Sequence, residues 1–311
     1  MTAVKGTSIS QFFESFSDEQ ACLEQIVSAK WGNHSPCPGC GELGQWFPVR
    51  NSKKYRHSCN LQFSPLKDTV IYRSNLSLIA FFYALLLFCN SAYGMRSSFI
   101  RKQLGIGVKS AHRLCNRVRL HMSAYNRASK LGGKGKTVYV DEVYLRRIVD
   151  LQSSRRKGAF VQGLRCDGQL LMGIVADRKR RSLVDNIERL VLPGSRIITD
   201  SYGSYRALGD KGWEHIRINH SRAFHDFHGH TTNPIECCWS ALKRNLKSYS
   251  QVGEHNLWLF LAEFECRFNL RSETTSCFEQ LCSHFPPINE ETQLALIKRF
   301  DWRSLDSSFK A

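Results

Sequence analysis

The sequence predicts an α/β chain: a mixed sheet with flanking helices, preceded by a small cysteine-bearing module and a helix-turn-helix region. Three observations carry this reading. Short β-rich runs with apolar alternation follow residue 136, apolar residues recur at three- and four-residue steps between residues 76 and 125, and a Cys-x-x-Cys turn stands near the start. The 311 residues suffice for about two domains with a well-packed core. With 42% apolar and 23% charged residues, the composition excludes a disordered or fibrous chain. The longest apolar stretch, Leu76 to Cys89, is interrupted by Ser77 and falls short of the ~20 residues of a membrane span, so it reads as a buried helix. The first residues lack a basic region followed by an apolar run, so no export signal is expected. The reading is a cytoplasmic protein with no membrane partner.

Charge narrows the partner. There are 44 Lys and Arg against 27 Asp and Glu, a net +17, and basic residues recur among aromatics, as in Lys54-Tyr55-Arg56 and from Trp239 to Arg244. A solvated basic surface is the blander account. A polyanion is the sharper one, and nucleic acid is preferred to a membrane surface because no basic amphipathic helix with a wide apolar face stands out.

Most of the 12 cysteines sit singly in apolar runs, as Cys22, Cys115 and Cys266 do, where a reduced thiol packs as a small hydrophobe. Cys37-Pro38-Gly39-Cys40 is different. Two thiolates in a tight turn are the geometry of a zinc knuckle, and His57 and Cys59 offer a second pair at the end of a short strand region. The expected Zn²⁺ ligands are Cys37, Cys40, His57 and Cys59. A site borrowing His34 and a metal-free loop stay open, because Arg56 occupies the position that would complete a second Cys-x-x-Cys with Cys59.

Helical periodicity follows. After the buried helix, Ser97 to Leu104, the turn Gly105-Ile106-Gly107, and Val108 to Met122 form a helix, a turn and a second helix. Val108, Ala111, Leu114, Cys115, Val118 and Met122 mark the inward face of the second helix. Lys109, His112, Arg113, Arg117 and Arg119 fall on the remaining surface, where a recognition helix meets DNA; a plain helical hairpin is the alternative. Asn126 to Lys136, rich in Gly, Ser and Lys, reads as a linker.

Beyond the linker, Thr137–Leu145, Ala159–Cys166 and Gln169–Ala176 read as strands, the last two joined by the hairpin signal Asp167-Gly168. A helix over 182–190, a strand Arg196–Asp200, a short helix near 202–208, a strand 215–219 and a helix from Pro234 to Tyr249 complete the series. That order is the ribonuclease H fold. It brings Asp141 on the first strand and Asp200 at the end of the fourth together if those strands are neighbours. Carboxylates holding two Mg²⁺ (or Mn²⁺) ions can activate water and stabilise a leaving oxygen in phosphodiester cleavage. Glu236 is the candidate third acid. Asn233-Pro234-Ile235-Glu236 also reads as a capping box, but Glu236 borders the buried face of its helix. Lys243 lies two turns further along that face, placed to hold a DNA phosphate, with Arg244 beside it. Glu142 is expected on the opposite face of the strand from Asp141, and Asp177 in a solvated loop.

VYVDEVYL, IITDSYGSYRAL and HTTNPIECCWSALKR resemble the three catalytic blocks of bacterial insertion-sequence DDE transposases with an ISXO-like transposase domain, whose eukaryotic relatives are the Merlin DNA transposons. The segments FFESFSDEQACLEQIVSAKWGNHSPCPGCG and RHSCNLQFSPLKDTVIYRSNLSL are similar to that family's zinc-ribbon region. The resemblance implies Asp141 and Asp200 as metal ligands, with Glu236 or Asn233 third, since some members carry Asn or His there. It implies binding to double-stranded DNA at transposon ends and target, strand cleavage and transfer, and a homo-dimer or larger assembly in a bacterial nucleoid. Arg56 stands where the family has a zinc cysteine, and His230 is two threonines from Asn233 where one is expected. The expected organisation is 1–75 zinc-ribbon-like, 76–125 helix-turn-helix, 126–136 linker, 137–250 catalytic and 251–311 helical. The competing function is a sequence-specific DNA-binding regulator with an inactive nuclease domain.

Overall fold

The computed structural model describes residues 6–32, 36–125, 129–146, 148–149, 158–219, 231–249 and 251–305. They form two compact units: Met1–Tyr125 with Glu273–Gln293, and Asn126–Ser272 with Leu294–Ala311.

In the first unit, α1 (Ile9–Ser15) starts at a capping box of Ser8 and Gln11, and α2 (Glu19–Trp31) at the carboxylate of Asp18. A three-stranded antiparallel sheet follows, made of β1 (Trp46–Pro48), β2 (Tyr55–His57) and β3 (Gln62–Phe63). The apolar run becomes α3 (Leu78–Asn90), begun by the Ser77 hydroxyl, with Phe81, Phe82, Leu85, Leu86 and Phe88 all buried. Next come α4 (Ser97–Leu104), which ends on Gly105 at φ +63°, and α5 (Val108–Tyr125). Two expectations for α5 are corrected. Val108 is exposed, in the first turn beyond the packed seam. Arg119 is buried: it lies four residues after Cys115 and three before Met122, within the inward stripe. Its guanidinium donates to the Met95 carbonyl and Asn116 Oδ1, both at 3.3 Å, and lies over the Phe88 ring. Arg117 is half-buried, while Lys109 and Arg113 are exposed as expected.

The second unit is built on a five-stranded sheet of β4 (Thr137–Leu145), β5 (Ala159–Cys166), β6 (Gln169–Val175), β7 (Arg196–Asp200) and β8 (Glu214–Ile218). Its order is β8-β7-β4-β5-β6. β4, β5 and β6 are antiparallel neighbours, whereas β7 lies parallel to both β4 and β8, the mixed sheet of the ribonuclease H fold. Asp167 and Gly168, at φ +49° and +80°, make the tight turn between β5 and β6 that their identities predict. One face of the sheet (Val138, Val140, Leu164, Leu171) packs on Leu183, Val184 and Ile187 of α6 (Arg180–Leu190). The other receives α7 (Asn233–Lys247) over β4 and β5. β6 is an edge strand, and α8 (Leu257–Leu270) satisfies part of that edge: Asn269 accepts from Leu170 N–H and Glu265 from Met172 N–H, each at 2.8 Å. No helix among the described residues is long and apolar enough to cross a membrane.

Candidate active site

β7 pairs with β4 over Arg196–Ile198 against Thr137–Tyr139, and this register carries Asp200, the last residue of β7, level with Asp141 in the middle of β4. Carboxylate oxygens of Asp141, Glu142 and Asp200 all lie within 4.8 Å of one another. Asp141 and Asp200 therefore meet, as the strand order predicts. The expectation that Glu142 stands apart is overturned. Alternation does start its side chain toward the α6 face, but pairing with β7 stops at Tyr139, so on that side of β4 no strand separates the two faces, while β5 pairs on through Leu145.

Glu142 is held firmly. Arg178, from the turn after β6, donates to Oε1 at 2.6 Å through Nε, and the fully buried Tyr205 donates to Oε2 at 2.6 Å. The Arg178 guanidinium lies 4.0 Å over the Tyr202 ring, and Tyr202 N–H donates to Asp200 Oδ1 at 3.0 Å. These contacts tie β4 to the ends of β6 and β7 around the acids. Arg178 is thus engaged rather than solvated with its charged loop. Asp177 also has defined partners, the N–H of Lys179 and the hydroxyl of Ser182.

Asp141 is tuned by its surroundings. Burial, then the neighbouring charges of Glu142 and Asp200, push its carboxyl up to about 7, against a hydrogen bond from Trp239 Nε1 to Oδ2 at 2.9 Å. The indole reaches that far because Gly163, directly opposite Asp141 in register, has no side chain; a Cβ there would come within 2.4 Å of the Trp239 ring. Arg165 of β5 donates to the Pro234 carbonyl and anchors the start of α7.

Glu236 faces the same cavity as Asp141 and Glu142, although it stands outside the 4.8 Å cluster. The expected capping box does not form. Thr232, not Asn233, precedes the helix, and its hydroxyl donates to Glu236 Oε1 at 2.6 Å. Asn233 is the first helical residue, exposed, its N–H donating to Thr231 Oγ1. Lys243 lines the cavity; Arg244 is exposed beyond it. His230 and His34 lie outside the described residues. Sequence reasoning passed over the roles of Arg178 and Tyr205 and read Trp239 only as an aromatic among basic residues. Their roles depend on register, which no local pattern encodes.

A second cluster stands in the first unit. Cys37, Cys40, His57 and Cys59 each present a ligand atom within 4.8 Å of the others. Cys37 Sγ and Cys59 Sγ are 3.8 Å apart, as are Cys40 Sγ and His57 Nδ1. Two sulfurs on one tetrahedral zinc, each about 2.3 Å from it, are separated by about 3.8 Å. All four cysteine and histidine side chains fit such an ion, and Arg56 is an exposed residue of β2 that leaves the set intact. Burial works against a Cys37 thiolate, but the backbone N–H groups of Cys40 and Gly39 outweigh it and hold the thiol below its ordinary value. The arrangement is compatible with a zinc ribbon.

Residues 130–269 match the model of the ISXO2-like transposase domain. An uncharacterized transposase-like protein of Haemophilus influenzae (strain ATCC 51907 / DSM 11121 / KW20 / Rd) is 33% identical over 96 residues, 31% of this chain and 77% of that relative. A ribonuclease H-type sheet with carboxylates gathered on its adjacent parallel strands, in a segment matching that domain, places the chain among the insertion-sequence transposases of the ISXO2-like family.

Proposed function

We propose that this chain binds the terminal inverted repeats of its own insertion sequence, cleaves a DNA strand there and directs the freed 3′-hydroxyl at a target phosphodiester. The observation that supports this best is the meeting of Asp141 and Asp200, remote in sequence, on adjacent parallel strands beside a cavity that Glu236 also lines. Hard oxygen donors of this kind suit Mg²⁺ or Mn²⁺, which when bound lowers the pKa of water and offsets charge on the leaving oxygen.

In this reading Asp141 and Asp200 hold the ions and Glu236 completes the set, its carboxylate oriented by the Thr232 hydroxyl. Asn233, exposed at the helix start, is the weaker candidate. Trp239 fixes the rotamer of Asp141, while the Arg178–Glu142–Tyr205 contacts set its distance from Asp200. Lys243 and Arg244 meet DNA phosphates near the cut. Lys109 and Arg113 on α5, with the half-buried Arg117, face DNA further away. Zn²⁺ on Cys37, Cys40, His57 and Cys59 would hold the small β-sheet together. Both transposon ends must be held at once, so the working form is a dimer or larger assembly on DNA in the bacterial cytoplasm.

The test uses DNA carrying the ends of the element that encodes the chain. With Mg²⁺, a strand cut at the element boundary and a joined product are expected, and Asp200→Asn abolishes both while DNA binding persists. End binding without cleavage by the unaltered chain would instead favour the DNA-binding regulator.

A further inference from the structure

The acids have basic side chains on both faces of the sheet. β4, β7 and β8 are parallel, and β6, two antiparallel steps from β4, runs the same way, so β6, β7 and β8 end on one rim beside the acids. On the α7 face, Lys243 and Lys247 line the cavity with Asp141 and Glu236. On the α6 face, the turn after β6 brings Lys179 and Arg180, and the end of β8 brings Arg217, all three exposed. Arg217 has the strand parity of His215, whose register partner Ile197 packs on α6, so its side chain starts on that face.

The turn after β7 holds these cations close to Asp200. Arg217 donates to the Ser201 carbonyl at 2.6 Å, and the Ser204 hydroxyl donates to the Arg178 carbonyl, next to Lys179, at 2.7 Å. Their charge is not answered within the fold. Arg180 and Arg217 have no carboxylate partner among the described residues. Lys179 reaches only Asp177, at 3.5 Å with its own side chain 84% exposed, where an ion pair contributes little. Arg180 and Arg181 also occupy the first turn of α6, which has no acidic residue, so they oppose the helix dipole. Cations kept where they cost the helix stability, beside a reaction centre, are accounted for by a polyanion that lies against them.

Joining brings two DNA molecules to one centre. The freed 3′-oxygen bonds to a target phosphorus as the target's own P–O3′ bond breaks; the attacking hydroxyl gives its proton to water, and the leaving oxygen takes one up. Attacking and leaving oxygens lie in line on opposite sides of that phosphorus, so the target cannot enter over the strand that supplies the hydroxyl. With the cut strand along Lys243 on the α7 face, the α6 face is left for the target. We propose that Lys179, Arg180 and Arg217 hold the backbone of the target duplex on that face. Such contacts go to phosphates and carry no sequence information, so this surface accepts any target sequence. The inference rests on the cleavage and joining reading of the acids.

Two assays on the full-length chain test it: Mg²⁺-dependent cutting of an element end, and joining of a pre-cut end to a plasmid. The double variant Lys179→Ala/Arg180→Ala is expected to lower joining about tenfold while cutting is unchanged. Lys179→Arg/Arg180→Lys, which keeps both charges, retains joining. With end DNA already bound, the affinity for a labelled random duplex is followed by anisotropy against salt. Its log–log slope is expected to fall by about two in the alanine variant, one for each cation removed, an effect that a disturbed turn would not give. Joining indifferent to the alanine changes overturns the proposal. Cutting that falls in step with joining overturns it too, because the cations then grip the end rather than the target. A chain that holds the random duplex through these cations but neither cuts nor joins sinks the cleavage reading alone.

Discussion

Asp141 carries opposing demands. Its carboxylate is buried beside two others, which favours the protonated form, whereas a cation would favour the charged one. Removing its charge should relieve the metal-free protein. Asp141→Asn keeps an oxygen for the Trp239 N–H and is expected to raise metal-free stability at pH 8 by on the order of 2 kcal/mol, while abolishing the stabilisation that Mn²⁺ gives the unaltered chain. Thermal unfolding with and without Mn²⁺ reads both effects; a destabilised variant that still responds to Mn²⁺ contradicts the assignment. At this scale the sequence was informative about the acids themselves, because strands in a recognisable order place them. It was silent on Gly163, Arg178 and Tyr205. A glycine opposite Asp141 becomes meaningful only once register sets it under the Trp239 indole.

Elements were more legible than contacts. β4, β5, β7 and α4 begin and end where alternation, turn residues and helical period place them. Departures came where side chains compete for a role. The Asn233 cap was displaced by Thr232, whose hydroxyl is instead spent on Glu236, and Arg119 joined the inward face of α5 because its apolar stem and cation pack over Phe88. The β1–β3 module makes its own prediction. It is small, and the sulfurs of Cys37, Cys40 and Cys59 converge there with His57 Nδ1, so a metal should supply much of its stability. One Zn²⁺ per chain is expected by elemental analysis. Trp46 stacks on Trp31 at 4.2 Å and lies 4.9 Å from His57, so a strong chelator or Cys59→Ser should alter tryptophan emission as the module loosens. A metal-free chain with unchanged emission on chelation argues against a zinc site.

For the whole molecule, the +17 charge suits a polyanionic partner, and the two units answer pH differently. His121, buried in the first unit, donates through Nε2 to the Leu281 carbonyl, and burial depresses it to about 4 from 6.5. Between those values the unfolded chain binds the proton and the folded one does not. The first unit therefore loses stability as pH falls from 6.5 to 4, by up to about 3 kcal/mol from this group. Asp141 is raised instead, so across the same window it adds stability to the metal-free second unit as pH falls, offsetting the loss from His215 of β8, which burial also depresses to about 4. Hydrogen exchange, corrected for intrinsic rates, should show protection in residues 78–125 declining at pH 4.5 relative to pH 6.5 while the sheet of β4 to β8 holds. Parallel loss in both units would show that Asp141 does not offset His215 in the second.

The most direct test is Mn²⁺ affinity measured by electron paramagnetic resonance on the metal-free chain and on Asp141→Asn, Asp200→Asn, Glu236→Gln and Asn233→Ala. Saturable binding that weakens by about tenfold or more in each of the three acid variants, and is unchanged in Asn233→Ala, is the expected result. Mn²⁺ binding indifferent to Asp141 and Asp200 would mean that the meeting of those carboxylates serves something other than a shared ion.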